Sequence, residues 1–173
     1  MECWNAFSNS STVKREIDLN AHTTKEEVLK AIDGVKLHVK AGVANTKRAV
    51  DELILNGFSE ANGARTRPSG YPRIGILVTG SQSRVPMDSA VRRVHDADVT
   101  MIAVTVGDIL NQNGLEATVT HPICQHLILL NNFTEMDSQE YTLRHRIMEG
   151  KDGNILCVLY FRMITDNYIT PYR

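Results

Sequence analysis

The stretch Arg73-Ile74-Gly75-Ile76-Leu77-Val78-Thr79 decides the fold. It is a nearly continuous apolar run, preceded by a loop rich in glycine, proline and arginine over residues 63–72 and followed by Gly80. Strands buried on both faces, as in parallel sheets, have this composition, whereas half-exposed strands alternate apolar and polar residues. We therefore predict a buried parallel strand over residues 73–79.

Two further strands are predicted downstream. Residues 99–106 form a second apolar run closed by Gly107, and residues 126–130 form a third. Between the first two runs, Met87, Ala90, Val91 and Val94 place one apolar stripe on a helix. Strands that alternate with helices indicate βαβ units with right-handed crossovers. The fold class is therefore α/β, a doubly wound, mostly parallel sheet with helices on both faces.

The amino-terminal part supplies more helices. Thr24 and Glu27 form a capping box, and apolar residues at helical spacing follow as far as Gly34, which is placed to end the helix. A second helix is predicted over about residues 45–56, with Gly57 as its stop signal. Residues 12–19 are expected to form a strand, and residues 114–118 a short helical piece.

Composition narrows the classes of function. The chain has 173 residues, of which 42% are hydrophobic and 23% charged, as in a single globular domain. The chain has 19 lysine and arginine residues and 20 acidic residues, and the basic residues do not form a stripe. We therefore expect no nucleic-acid partner. No apolar run is long enough to span a bilayer. Cys3, Cys124 and Cys157 are too far apart to predict a disulfide framework or a paired zinc motif.

In order and spacing, a series of segments resembles the von Willebrand factor type A domain, in the form found in matrilins, non-fibrillar collagens and similar matrix proteins. The resemblance covers roughly residues 7–136 and rests on these segments: Phe7-Ser8, Ile17-Asp18-Leu19-Asn20, Ala41-Gly42-Val43-Ala44-Asn45-Thr46, Gly63-Ala64-Arg65, Ile76-Leu77-Val78-Thr79-Gly80-Ser81, Ile102-Ala103-Val104-Thr105-Val106-Gly107 and residues 126–133. Asp98 replaces a glycine of the family at a turn.

The resemblance implies a metal site, and the residues of this chain depart from it. The family's ligands come from an Asp-x-Ser-x-Ser strand, a loop threonine and the aspartate of a Thr-Asp-Gly motif. This chain contains no Asp-x-Ser-x-Ser, and Ala44 and Gly80 occupy the other two positions. Hard cations need oxygen ligands that include a carboxylate. We therefore predict no metal and no other cofactor.

Other candidate sites have simpler interpretations. Thr79, Ser81 and Ser83 could offer hydroxyls at the crevice of an open α/β sheet, but Ser83 also suits the start of a helix opened by Pro86. The segment His121-Pro122-Ile123-Cys124-Gln125-His126 contains zinc-type ligands, yet no second ligand pair lies at a motif spacing. We interpret it as a loop with His126 at a strand start.

The sequence predicts a non-enzymatic, metal-independent protein-binding module of the extracellular matrix. The crevice residues expected to contact a protein ligand, such as a matrix component, are Asn45, Thr46, Thr79, Ser81 and Ser83. Two alternatives remain open: a truncated form without function, and a small α/β enzyme using the crevice near Thr79 and Gly107. An extracellular location follows from the resemblance alone, because the first residues lack the pattern of a signal peptide.

The predicted domain covers residues 1–136, and residues 137–173 form an unassigned carboxy-terminal segment. In the family's strand order, the first strand lies at the centre of the sheet, beside the strand that ends at Thr79. The chain opens almost at the family's third strand, so a gap at the centre would favour self-association. The apolar run 155–161 has strand character and could fill that gap by packing into the sheet.

Overall fold

A computed structural model describes residues 2–9, 12–35, 45–80, 85–107, 113–149 and 157–163. Six strands form one sheet in the order β2-β1-β6-β3-β4-β5. The strands are β1 (Glu2–Asn9), β2 (Thr12–Ile17), β3 (Arg73–Thr79), β4 (Val99–Val106), β5 (Leu127–Leu130) and β6 (Cys157–Met163). Strands β3, β4 and β5 are parallel, as predicted, and β2 is an antiparallel edge strand.

The helices occupy both faces of this sheet. They are α1 (Lys25–Asp33), α2 (Thr46–Glu52), α3 (Asp88–Asp96), α4 (Asn113–Glu116), α5 (Ile123–His126) and α6 (Glu140–Glu149). A π-helical turn, Leu53–Gly57, extends α2, and short 3-10 turns lie at Glu60–Asn62, Arg67–Ser69, Phe133–Glu135 and Asp137–Gln139. The predicted capping box at the start of α1 is present, with the Glu27 amide donating to Thr24 at 3.2 Å.

Two apolar cores lie on opposite faces of the sheet. Helices α2 and α3 bury Ala49, Leu53 and Ala90 on the face that carries Leu77 and Met101. The other face is formed by alternate residues of β3, β4 and β5, and Ile147 of α6 is buried against it. The strand residues on this face are Ile74, Ile76, Val78, Ile102, Val104, Val106, Ile128 and Leu130. Because successive side chains of a strand point to opposite faces, a sheet covered on both sides requires nearly continuous apolar strands. This confirms the predicted fold class.

Gly75 allows close packing on the first of these faces. A methyl group at this position would lie 2.5 Å from the Met101 sulfur and 2.9 Å from a terminal carbon of Leu53. Both side chains are almost completely buried. The π-helical turn that begins at Leu53 therefore packs directly over the backbone of β3.

Two element boundaries and one strand differ from the predictions. His126 ends helix α5 rather than starting the strand, and β5 begins at Leu127. Helix α3 begins at Asp88 with Met87 as its amino-terminal cap, so the predicted opening of this helix at Pro86 was wrong, and Ser83 lies outside the described residues. Strand β1 had not been predicted from the sequence.

Asp98 adopts φ 52°, the left-handed conformation in which a glycine is favoured.

Strand β6 lies at the centre of the sheet, between β1 and β3. It is parallel to both neighbours and pairs with each over six residue positions. This is the position that the family's strand order gives to its first strand. Residues 155 and 156 of the run proposed for this role lie outside the described residues, and the division of the chain after residue 136 stays a prediction.

Candidate functional site

The candidate site is the crevice at the carboxyl ends of the parallel strands, where open α/β sheets bind ligands. Thr79 ends β3, and its register partner on β4 is Thr105. Their exposed fractions are 0% and 1%, so both side chains are buried at this edge of the sheet. Gly80 follows Thr79 and is half-buried, and Gly107 follows β4, is exposed and has φ 88°.

The start of helix α2 contributes the second part of the crevice. The Asn45 side chain caps the helix by accepting a hydrogen bond from the Arg48 amide at 3.0 Å. Thr46 is 1% exposed, and its hydroxyl oxygen has no hydrogen-bond partner among the described residues. A helix that leads into a parallel strand runs antiparallel to it, and Leu53, near the far end, lies against Gly75. Asn45 and Thr46 therefore lie toward the carboxyl end of β3.

Of the predicted crevice residues, the structure describes Asn45, Thr46 and Thr79. Ser81 and Ser83 lie outside the described residues, as does Ala44. Thr79 lies on the same face of β3 as Leu77, and α2, which carries Thr46, packs on that face. Thr105 is a further buried hydroxyl at this edge that had not been proposed as a site residue.

The described donor set does not fit a hard divalent cation. Thr46, Thr79 and Thr105 supply neutral hydroxyls, and Gly80 has no side chain at the position of the family's aspartate. No group of three or more histidine, cysteine or acidic residues that could hold a metal occurs among the described residues. Neutral hydroxyls compete poorly with the hydration shell of magnesium, which gives up water reluctantly.

One carboxylate at this edge of the sheet was missed by the sequence reasoning. Glu135 follows β5 and accepts hydrogen bonds from the side chain and backbone amide of Asn131, each at 3.0 Å. These bonds hold the pKa of Glu135 below its ordinary value, the side-chain bond contributing most. The pattern Asn132-x-x-Glu135 resembles a helix start and could have revealed it. Both oxygens are engaged by this turn, so Glu135 acts as a local cap.

The zinc-type segment is not assembled into a site among the described residues. The ring Nδ1 of His126 lies 3.1 Å from the Pro122 carbonyl oxygen, within the same helical turn. Cys124 is exposed and free. These contacts agree with a structural role for the segment.

Comparisons with known proteins identify the fold. The family model of the von Willebrand factor type A domain matches residues 5–142. Matrilin-2 of Mus musculus is 28% identical over 137 residues, covering 79% of this chain and 14% of its own length. The collagen alpha-5(VI) chain of Homo sapiens is 30% identical over 132 residues, which is 76% of this chain and 5% of that protein. Matrilin-1 of Gallus gallus is 27% identical, with coverages of 83% and 28%.

The solved structures agree. Proximal thread matrix protein 1 from the mussel byssus superposes with a TM-score of 0.73 at 23% identity, covering 85% of this chain and 36% of that one. A second structure of that mussel protein, described as having a zinc-occupied MIDAS motif, gives a TM-score of 0.68 at 23% identity, with coverages of 78% and 33%. None of the described helices has the length and apolar character needed to cross a membrane. The chain belongs to the von Willebrand factor type A domain family and is homologous to domains of extracellular-matrix proteins.

Proposed function

We propose that this domain binds a protein partner of the extracellular matrix at its crevice, and that it does so without a divalent metal ion. The observation that carries the proposal is the chemistry of the described crevice. It contains buried hydroxyls at Thr46, Thr79 and Thr105, and Gly80 where the family has an aspartate. Because these threonines are buried, a partner would contact the accessible groups around them, such as Gly80 and Gly107, rather than a shared cation.

The class of partner is proposed from the relatives. They are matrilins and a collagen chain, so a matrix protein is the natural ligand class, and an extracellular location accompanies it. We propose no enzymatic role for the crevice near Thr79 and Gly107. Neutral threonine hydroxyls and glycines do not provide an activated nucleophile with an adjacent base.

The test is binding of the purified chain to immobilised extracellular-matrix extract, with magnesium and with excess EDTA. We expect equal binding in both buffers. Gly80→Lys places a bulky cation in the crevice and should weaken binding by at least about tenfold, the effect of losing about 1.4 kcal/mol. Ala61→Lys is the matched control, because Ala61 is exposed on the turn that leads toward the start of β3.

Three outcomes would contradict the proposal. Loss of binding in EDTA with recovery in magnesium would show that the crevice uses a metal. Full binding by Gly80→Lys would place the contact elsewhere. Equal losses in Gly80→Lys and Ala61→Lys would show that the measured attachment is a nonspecific charge effect.

A further inference from the structure

We infer that β6 is an exchangeable strand, and that a second copy of this chain can donate its own β6 to the slot between β1 and β3. In the register of the sheet, Leu159 stands between Cys3 of β1 and Gly75 of β3. Every bond that holds β6 in the sheet is therefore made with strands far away in sequence.

The slot determines what can occupy it. Both of its edges are parallel strands, and each pairs with β6 over six positions. Without β6, the β1–β2 hairpin and the β3–β4–β5 sheet would each present an open edge in the interior of the sheet. Open edges of this kind are templates for strand addition. A second copy carries a strand that fits both edges by construction, which makes exchange between identical chains a low-cost route to a dimer.

The connection to β6 permits exchange. Helix α6 ends at Glu149 and β6 begins at Cys157, so seven residues, 150–156, join them, and two of these are glycine. A link of this length spans up to about 25 Å. In the sheet, β5 and β6 are three strand spacings apart, about 14 Å, and α6, from which the link starts, packs on the face of β3, β4 and β5 through Ile147.

Among the described residues, helix α6 contacts the sheet through two apolar side chains and through Arg146, whose guanidinium donates a hydrogen bond to the Leu127 carbonyl oxygen at 3.1 Å. Ile147 is buried and Leu143 is partly buried, whereas Tyr141 is 75% exposed. This inference is independent of the crevice and of the ligand proposed above.

Cysteine cross-linking between two full-length chains tests the exchange. Both chains carry Cys124→Ser and Cys157→Ser. The acceptor keeps Cys3, and the donor carries Cys3→Ser and Leu159→Cys, so only donation in trans brings the two thiols to matching positions on neighbouring strands. The control donor carries Tyr160→Cys instead, whose register partner on β1 is Trp4 rather than Cys3.

The chains are mixed in denaturant, refolded together and oxidised. Donation within one chain has an effective concentration on the order of millimolar, so refolding at high protein concentration favours exchange. We expect a disulfide-linked species of twice the monomer mass with Leu159→Cys and a marked loss of it with Tyr160→Cys. One chain carrying both Cys3 and Leu159→Cys, with the two serine substitutions, shows whether the internal strand cross-links.

Each of three outcomes would overturn the inference. An internal disulfide without any linked dimer would show that β6 stays in its own chain and would overturn the inference. Equal dimer yields from the Leu159→Cys and Tyr160→Cys donors would indicate random collision and would also overturn it. The absence of both the internal and the intermolecular disulfide would show that β6 does not occupy the slot, with the same consequence.

Discussion

Replacing Gly75 by alanine tests the close packing of α2 and its π-helical turn on β3. The added methyl group would lie 2.5 Å from the Met101 sulfur and 2.9 Å from a Leu53 methyl carbon. Both distances are far inside van der Waals contact. The contacting atoms are side-chain ends, but both side chains are buried, at 1% and 0% exposure, so neither can turn toward solvent.

The expected cost follows from overpacking. Inserting a methylene-sized group into a close-packed core costs about 1–3 kcal/mol, and we expect Gly75→Ala to lower the free energy of unfolding by about 2 kcal/mol. Gly34→Ala is the matched control. Gly34 has φ −79°, and a methyl group there would meet only two carbonyl oxygens at 3.4 Å. Gly34→Ala should therefore be neutral or slightly stabilising.

A double-mutant cycle identifies the cause. Met101→Ala alone should cost about 3 kcal/mol, because it leaves a cavity. Combined with Gly75→Ala, it removes the closest contact, so the two costs should fall short of additivity by about 1 kcal/mol or more. Urea denaturation followed by circular dichroism measures all four proteins. A Gly75→Ala variant as stable as the parent, or strictly additive costs, would refute the packing account.

Three further predictions follow from single positions. Gly63→Ala should lower the free energy of unfolding more than Gly107→Ala does. Both glycines have positive φ, 90° and 88°, but only at Gly63 would a methyl group clash with Asn20, at 2.6 Å. Thermal unfolding should show a difference of about 1 kcal/mol or more between the two variants. The pKa of Glu27 is lowered from 4.5, chiefly by hydrogen bonds from backbone amides at the helix start. The stabilisation from the Glu27 carboxylate is therefore present above pH 4.5 and is lost as the pH falls through the lower pKa of the folded state. Glu27→Gln should make the unfolding temperature less dependent on pH across that window, and an unchanged acid profile would contradict this. Asp98→Gly should raise the free energy of unfolding by about 0.5–1 kcal/mol, because φ 52° strains an aspartate, and a destabilised variant in urea would count against this.

The strands that sequence predicts best are those buried on both faces. In β3 and β4 nearly every residue is buried, and the unbroken apolar runs carry that information locally. Helix α1 was equally clear, because its capping box fixes the start within four residues. Strand β1 was missed because Glu2–Asn9 mixes polar and apolar residues without a long apolar run.

Pairing partners cannot be read from local sequence. The run ending in β6 has the composition of a buried strand, but its position between β1 and β3 depends on contacts with residues more than 70 positions away. The close contact between the π-helical turn at Leu53–Gly57 and Gly75 likewise joins residues that are distant in sequence. The start of α3 moved to Asp88 although Pro86 gave an earlier signal.

The crevice was predictable only in part. Thr79 and Gly80 follow an apolar strand, and this order located the edge of the sheet. The resemblance to the family's Thr-Asp-Gly motif indicated that Gly80 replaces the aspartate ligand. Thr105 was not recognised as a crevice residue, because its burial beside Thr79 depends on the register between β3 and β4. The role of Glu135 depends on how the chain turns after β5.

The most direct test of the proposed metal independence of the crevice is titration of the unmodified chain with manganese, on the order of millimolar, by isothermal calorimetry. The account predicts no saturable heat of binding, because Gly80 and the neutral hydroxyls of Thr79 and Thr105 offer no carboxylate to offset the charge of the ion. Gly80→Asp alone should leave binding undetectable, since several oxygens must be held together in one geometry. Saturable one-to-one binding by the unmodified chain, abolished by Thr79→Ala, would contradict the account.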